Sequence, residues 1–280
     1  MFKTILMPVD DSRQSSGALH AAALLARDFG AHLIGSAATG ISYVSYSILF
    51  GSMAMPPSQE EFDALRQKAQ AQVDGFVDGA QRHGALSVEG RVLDEEVRAA
   101  LLAQSRYADL LVASQRGQAD VATPWSAATS LPTYLALHTG RPVLAVPPSY
   151  AGEALSDRIA IGWDGSLHAM RAITFALPLL QRARAVSLLI VNPNPVLGME
   201  GDEPGADMAL YLARHGVSVE VVVHRDGHSA AEVLLPLARD RSCALMVAGA
   251  YGHTRFREVV LGGVTGALLT DAPMPVFFAH

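Results

Sequence analysis

Cysteine and lysine are scarce in this sequence. Cys243 is the single cysteine, which excludes a disulfide framework and a zinc site built on four cysteines. Of the 21 basic side chains, two are lysines, Lys3 and Lys68, so 21 − 2 = 19 are arginines. Neither lysine follows a glycine, which excludes a Walker A phosphate loop. The same shortage argues against a Schiff-base lysine.

Long apolar runs and an excess of positive charge are also missing. No apolar run reaches the roughly 18–20 residues that cross a bilayer. The first residues, Phe2–Val9, read as a strand rather than as a signal peptide. The formal net charge of −6 argues against nucleic acid or a membrane surface as a partner. We therefore expect a cytoplasmic protein.

Hydrophobic residues, in contrast, make up half of the 280 residues, and charged residues make up 17%. A chain of this composition buries a sizeable core and is not disordered over its bulk. Its length allows one large domain or two small ones.

An internal repeat favours two small domains. Three landmarks occur twice, in the same order, and each is a short apolar segment. They are ILMPVDDS (Ile5–Ser12) with IAIGWDGS (Ile159–Ser166), ADLLVAS (Ala108–Ser114) with ALMVAG (Ala244–Gly249), and RPVLAVP (Arg141–Pro147) with MPVFFAH (Met274–His280). The three offsets are 154, 135 and 133 residues.

The offsets also locate an insertion and a linker. Between the first two landmarks the second copy is 154 − 135 = 19 residues shorter, and Ile41–Gln59 is the matching extra stretch of the first copy. We interpret it as a loop, either a plain surface loop or a flap. Pro147–Asp157 has the composition of a linker. We expect domains at 1–148 and 158–280, with 149–157 between them.

Each copy alternates five apolar strands with helices. This order predicts an α/β fold of two tandem Rossmann-like domains, each with a doubly wound, five-stranded parallel sheet. Ligands of such sheets lie beyond the carboxyl ends of the strands, where the strand order reverses. The last strands of the copies, Val143–Val146 and Val276–Phe278, are short and apolar. Exposed edge strands tend to find a partner.

The connection before the last helix of the second copy is rich in glycine. It reads GAYGHTRFREVVLGGVTGALL, from Gly249 to Leu269. A strand, glycines that allow close approach to the backbone, and a helix N-terminus can cradle a phosphate without a lysine. The alternative interpretation of the same spacing is two tight turns.

This stretch resembles the signature G-x2-G-x9-G-(S/T) of the ATP-binding members of the universal stress protein family. The segments PVDDS and GWDGS are similar to the first strand and aspartate loop of that family, and the resemblance covers essentially the whole chain. It implies ATP as a ligand, with Mg²⁺ as a possible companion. It further implies that the last strands of the two copies pair as an intramolecular pseudo-dimer, and a homodimer of chains is a further possibility.

The resemblance also implies roles for particular residues of the second copy. Asp164 would contact the nucleoside and Val191 would pack on adenine. The phosphates would lie on the glycine loop, represented by Gly249, Gly252, Gly262, Gly263, Val264 and Thr265. One departure is that Gly263 stands where the family has Ser or Thr, so a hydroxyl ligand to phosphate is missing.

The first copy departs further from the signature. Ser114 replaces the first glycine, Gly117 keeps the second, and Thr129 and Ser130 stand opposite Gly262 and Gly263. A β-branched side chain therefore occupies a position that needs close backbone approach. Although Asp10 is retained, we expect this site to be degenerate and structural.

Other candidate sites are weaker. His224, Asp226 and His228 could ligate a metal, but they span a glycine-containing turn rather than one helical face, so we assign no metal site. The sequence contains no G-x-S-x-G elbow, no HExxH and no G-x-G-x-x-G. This favours a binding protein over an enzyme with high turnover.

Three hypotheses stay open. The first is a stress-response protein that binds an adenine nucleotide in the second copy. The second is an interaction or chaperone-like scaffold of the same fold that binds no nucleotide. The third is a nucleotide-using enzyme, a phosphotransferase or slow ATPase, with Asp164 or His253 as its reactive group. Bound nucleotide separates the first from the second, and turnover separates the third from both.

Overall fold

The computed structural model of the chain describes residues 1–10, 15–42, 58–115, 130–193, 203–250 and 263–280. Most of the predicted insertion at 41–59 lies outside these ranges, as does most of the connection between Ser114 and Ser130.

Within each half of the described chain, five strands alternate with four helices, as the repeat predicts. The strands are β1 (Thr4–Pro8), β2 (His32–Ala38), β3 (Val88–Leu93), β4 (Leu110–Ser114), β5 (Val143–Val146), β6 (Arg158–Gly162), β7 (Ala185–Val191), β8 (Val219–His224), β9 (Leu245–Gly249) and β10 (Val276–Ala279). The helices are α1 (Ser15–Phe29), α2 (Gln59–Arg82), α3 (Val97–Ser105), α4 (Leu131–His138), α5 (Leu167–Leu180), α6 (Ala206–Arg214), α7 (Ala230–Asp240) and α8 (Gly263–Asp271).

All ten strands belong to one sheet, in the order β3-β2-β1-β4-β5-β10-β9-β6-β7-β8. Within each half the paired strands run parallel. The strand order reverses between β1 and β4 in the first half and between β6 and β9 in the second. The predicted α/β fold of two doubly wound halves is thereby confirmed, and it puts one ligand-binding crevice at each reversal.

The two halves join through one antiparallel pair, β5 with β10. Leu144 pairs directly with Phe277, and these residues are equivalent under the offset of 133. A pseudo-twofold axis therefore passes between them. The prediction of an intramolecular pseudo-dimer is confirmed, and the edge that each half would otherwise expose is covered by the other half.

Helices cover both faces of the sheet because the strands are apolar on both sides. One core contains Ile5, Ile159 and Phe277, and it is covered by α1, α2, α5 and α6. The other contains Leu6, Ala160 and Phe278, and it is covered by α3, α4, α7 and α8. Neighbouring residues of one strand thus enter opposite cores, as the alternation of side chains along a strand requires. Because helices cover both faces, a ligand could bind at the carboxyl ends of the strands, where the connecting loops lie.

Candidate functional site

The turn after β6 presents the first predicted site residue. Asp164 is exposed two residues beyond the strand, and its Oδ1 accepts a hydrogen bond from the Ser166 backbone N–H at 2.9 Å. Gly165 has φ of +75°, a conformation that glycine adopts without strain. The Ser166 hydroxyl then caps α5 by accepting from the Ala169 N–H at 3.1 Å. The carboxylate is held at the carboxyl end of the sheet by its own turn.

Val191 ends β7, the neighbouring strand. It lies directly opposite His224 of β8 in the parallel register and packs against the core under α7 and α8. The next residue, Asn192, has φ of +47°, so the chain turns away at once. Val191 is therefore a partly buried apolar side chain at the rim where Asp164 also lies.

Gly249 ends β9, on the other side of the reversal point. An added Cβ would lie 2.5 Å from the backbone nitrogen of Ala169 and 2.8 Å from the backbone carbon of His168. Because those are backbone atoms of the first turn of α5, they cannot move aside cheaply. Gly249 is thus required by the contact between β9 and α5, in addition to its predicted role toward phosphate.

The remaining residues of the motif begin α8. Gly263 is the exposed first residue of the helix, Val264 packs partly on the core, and Thr265 is buried. Among the described residues, nothing lies within 4 Å of where a Gly263 Cβ would be. Gly252 and Gly262 fall outside the described residues, so their predicted roles stay predictions.

The same positions of the first half have different surroundings. Ser114 ends β4, and the exposed Asp10 follows β1. Ser130, equivalent to Gly263, is buried, and its Oγ donates to Thr133 Oγ1 at 2.9 Å while it caps α4. Its hydroxyl is therefore engaged within the fold. Gly117 and Thr129 lie outside the described residues.

His224 and His228, the two histidines that could ligate a metal by their spacing, lie at the end of β8 and in the turn that follows it. His224 Nε2 and His228 Nδ1 lie 2.7 and 2.8 Å from the same oxygen, Asp226 Oδ2. The hydrogen bond from His224, followed by those from His228, holds the pKa of Asp226 well below its usual range. The pKa of His228 is raised by that carboxylate. In the part of the chain that the structure describes, no group of three or more His, Cys, Asp or Glu side chains is arranged to hold a metal ion.

Two further histidines at this edge were missed by sequence reasoning. His168 of α5 and His280, the residue after β10, stack with ring centroids 4.2 Å apart and an interplanar angle of 14°. His280 Nδ1 lies 3.0 Å from the carbonyl oxygen of Ala250, the residue that leaves β9. Their separation of 112 residues in the chain left no local pattern by which to find them.

Comparison with known families agrees with this architecture. The family model described as "Universal stress protein family" matches residues 1–147 and again residues 156–280. The chain belongs to the universal stress protein family. The two matches correspond to the two halves of the sheet, so the chain is a tandem member. A comparison with curated proteins found no match.

Solved structures of similar proteins extend over both halves. A universal stress protein from Archaeoglobus fulgidus DSM 4304 is 16% identical, with a TM-score of 0.71 over 99% of this chain and 95% of its own. A putative universal stress protein from Pseudomonas aeruginosa UCBPP-PA14 is 14% identical, with a TM-score of 0.63 over 99% of this chain and 93% of its own. At such low identity these likenesses show the fold.

None of the described helices combines the length and the apolar character that crossing a bilayer requires.

Proposed function

We propose that the second half of this tandem universal stress protein binds an adenine nucleotide, ATP in the first place, and that binding serves a regulatory role in a cytoplasmic stress response. Adenine and ribose would lie at the ends of β6 and β7, and the phosphates at the connection between β9 and α8. Mg²⁺ would accompany the phosphates. The first half would act as the structural partner.

One observation carries the proposal. Asp164, Val191, Gly249 and Gly263 are far apart in the sequence, yet they lie around a single reversal of strand order, between β6 and β9. This is where doubly wound sheets bind their ligands. The glycine motif is complete in this half alone, apart from the missing Ser or Thr.

The chemistry of the described residues suits each part of such a ligand. An exposed carboxylate, Asp164, can accept hydrogen bonds from ribose hydroxyls. The apolar rim residue Val191 offers a surface for a base. The N-terminus of α8 supplies backbone N–H groups, and at Gly263 no described atom fills the space that a side chain would take.

A second candidate function rests on the departures from the motif. Gly263 lacks the hydroxyl, and in the first half the hydroxyl of Ser130 is engaged within the fold. These departures suit an interaction scaffold in which the glycine loop no longer binds a phosphate. Such a scaffold would bind partner proteins and no nucleotide, so a direct binding measurement separates the two functions.

The deciding experiment is isothermal titration calorimetry of the full chain with ATP and Mg²⁺. Three proteins are compared: wild type, Gly252→Val in the second half, and Gly117→Val as the matched control at the equivalent position of the first half. We expect micromolar affinity, lost in Gly252→Val because a branched side chain blocks backbone approach to phosphate. The Gly117→Val protein should bind as wild type does.

Two results would contradict the proposal. Absence of binding at millimolar ATP would leave the scaffold, and the search would turn to protein partners. Loss of binding in Gly117→Val but not in Gly252→Val would place the site in the first half. Release of phosphate during the same titration would favour the enzyme hypothesis.

A further inference from the structure

Two histidines of the first half face each other between α1 and α2. His20 lies within α1, and His83 is the residue that caps the C-terminus of α2. Their Nδ1 atoms are 3.3 Å apart, and their rings are inclined at 70°. The helices approach closely here, since a Cβ added at Gly79 would lie 2.8 Å from the Leu19 side chain. The packing of α1 on α2 therefore holds the two nitrogens together.

The linker between the halves fixes the tautomer of His20. The Nε2 atom of His20 lies 3.0 Å from the backbone carbonyl oxygen of Gly152. A carbonyl oxygen can only accept, so Nε2 carries the hydrogen and Nδ1 presents its lone pair to His83. Gly152 lies against the ring of Tyr150, which packs on the core. A histidine that donates its other ring N–H to a backbone carbonyl is the usual arrangement of a metal ligand.

The separation of the two nitrogens matches a tetrahedral metal ion. Two nitrogens bound at about 2.0–2.1 Å to such an ion lie about 3.3–3.4 Å apart, and Zn²⁺ prefers this geometry. Neighbouring nitrogens of a square-planar ion, which Cu²⁺ favours, would lie closer together, at about 2.9 Å. The observed 3.3 Å also suits a hydrogen bond from His83 Nδ1 to His20 Nδ1. Zn²⁺ would take the place of that hydrogen, which His83 would then carry on Nε2.

The surroundings favour His83 as a neutral ligand. Burial, followed by the charges of His20 and Arg82, lowers the pKa of His83, so protons compete less with a metal ion for its ring. Arg82 Nε donates to the carbonyl of Asp78 at 3.2 Å, one turn back along α2. His83 is exposed, which gives water and ions access to the pair. Since no third His, Cys, Asp or Glu completes a set of ligands in the described ranges, water would fill the remaining positions.

The second half keeps one member of the pair and lacks the other. His215 caps α6 as His83 caps α2, and each is followed by a glycine with positive φ, Gly216 and Gly84. Under the offset of 154, Thr174 stands where the first half has His20, and its hydroxyl donates to the Met170 carbonyl at 2.9 Å. The helix cap is therefore common to both halves, whereas the facing histidines belong to the first.

We propose that His20 and His83 form a zinc site of the first half, in which two imidazole nitrogens and water coordinate the ion and the Gly152 carbonyl orients His20. The site lies apart from the glycine motif and does not depend on nucleotide binding. It would tie α1, α2 and the linker together when zinc is bound. We expect a Kd of about 10–100 µM, because two protein ligands supply roughly half of what four supply in a structural zinc site.

The test is calorimetric titration of the full chain with ZnCl₂ alone, at about pH 7.5, where neutral histidine prevails. Wild type is compared with His20→Ala, His83→Asn and the matched control His215→Asn. His83→Asn removes the imidazole ligand but keeps an N–H donor toward His20, and circular dichroism checks that each protein is folded. We expect both first-half variants to bind this zinc ion at least tenfold more weakly, and His215→Asn to bind as wild type does. Zinc bound by His224 and His228 would be common to all four proteins.

A second measurement locates the ion. In protein labelled with ¹⁵N-histidine, zinc should shift the Nδ1 resonances of His20 and His83 and leave those of His138 unchanged. The proposal is overturned if wild type binds no zinc at about 1 mM, well above the expected Kd. It is also overturned if His20→Ala and His83→Asn bind zinc as wild type does, or if the zinc-dependent shifts occur only at other histidines. None of these outcomes bears on nucleotide binding by the second half.

Discussion

Arg182 lies with its guanidinium carbon 4.1 Å from the centroid of the Phe29 ring, and its Nη1 donates to the backbone carbonyl of Asp28. Arg182 follows α5 of the second half, whereas Phe29 ends α1 of the first. Arg182 and Asp28 are equivalent positions under the offset of 154, so the contact lies where the two halves meet across their pseudo-twofold relation. It joins the two halves in addition to the β5–β10 pair.

We predict that Arg182→Ala lowers the free energy of unfolding by about 1–2 kcal/mol, because it removes a cation–π contact and a hydrogen bond from a charged donor. Urea unfolding followed by circular dichroism measures the change. Arg214→Ala, at the exposed end of α6, is the matched control and should change stability little. Equal losses in the two variants would show that Arg182 does not stabilise the interface.

The pairing of Leu144 with Phe277 should contribute far more. Phe277 is fully buried, at the centre of the only antiparallel pair between described strands. We expect Phe277→Ala to cost about 3–5 kcal/mol through lost burial and a cavity. Leu86→Ala, which truncates a leucine that is 93% exposed, is the control.

The unfolding curve of Phe277→Ala tests the cooperativity of the two halves as well as the loss of stability. If the two halves fold only as a unit, the transition should shift while remaining single. Two separated transitions would show that the halves are stable independently, and would contradict the view that β5 and β10 bind them into one cooperative sheet.

The sequence predicted the fold well because its determinants are local and repeated. Runs such as Ile5–Met7 and Ile159–Ile161 are apolar at every position, as strands covered on both faces must be. The three offsets then predicted two similar halves. The pairing of the last strands needed the family resemblance in addition, since an apolar edge does not by itself say which strand it meets.

The site was predicted less completely, for a physical reason. Glycine spacing and an aspartate after a strand leave a pattern in the sequence, whereas contacts between distant segments do not. The stack of His168 on His280 and the fit of Gly249 against Ala169 depend on how α5 crosses the ends of β9 and β10. The sequence likewise showed the spacing of His224, Asp226 and His228, but not the hydrogen bonds from the two histidines to Asp226.

The close contact at Gly249 gives a further prediction. Gly249→Ala forces a Cβ to within 2.5 Å of a backbone nitrogen, so we expect a loss of about 1–3 kcal/mol and weaker nucleotide binding. Gly162→Ala is the matched control in β6, where the nearest atoms to an added Cβ lie 3.5–3.8 Å away. It should leave stability within about 0.5 kcal/mol of wild type. Comparable losses of stability in both variants would show that the close contact between Gly249 and α5 is not the cause of the loss.

Restoring the missing hydroxyl should improve the site. Gly263→Ser places Ser where the family signature has Ser or Thr, and no described atom lies within 4 Å of the new Cβ. We expect ATP to bind about ten- to a hundredfold more tightly, corresponding to one added hydrogen bond to a charged group. Gly263→Ala, measured by the same calorimetry, separates the hydroxyl from the effect of a side chain alone. An equal gain in ATP affinity in both variants would show that the added side chain acts on helix α8 and not through a hydrogen bond from the hydroxyl to phosphate.

The dependence of stability on pH should involve His83. His20 Nε2 lies 3.0 Å from the carbonyl oxygen of Gly152, so that nitrogen carries the hydrogen and Nδ1 accepts from His83 Nδ1 at 3.3 Å. Burial, then His20 and Arg82, lowers the pKa of His83 from its ordinary value of 6.5. The unfolded chain therefore binds more protons than the folded one as pH falls below that value.

His83 thus contributes stability that is present above about pH 6.5 and is lost as pH falls through the lowered folded-state pKa. His83→Asn keeps an N–H donor toward His20 and cannot be protonated in this range, so its urea midpoint should fall less than that of wild type between about pH 7.5 and pH 5.5. His138→Asn, made on the exposed ring that stacks on Tyr134, should follow wild type. A His83→Asn protein as sensitive to acid as wild type would show that the contact with His20 tolerates the added proton, and that the loss of stability at low pH arises elsewhere in the chain.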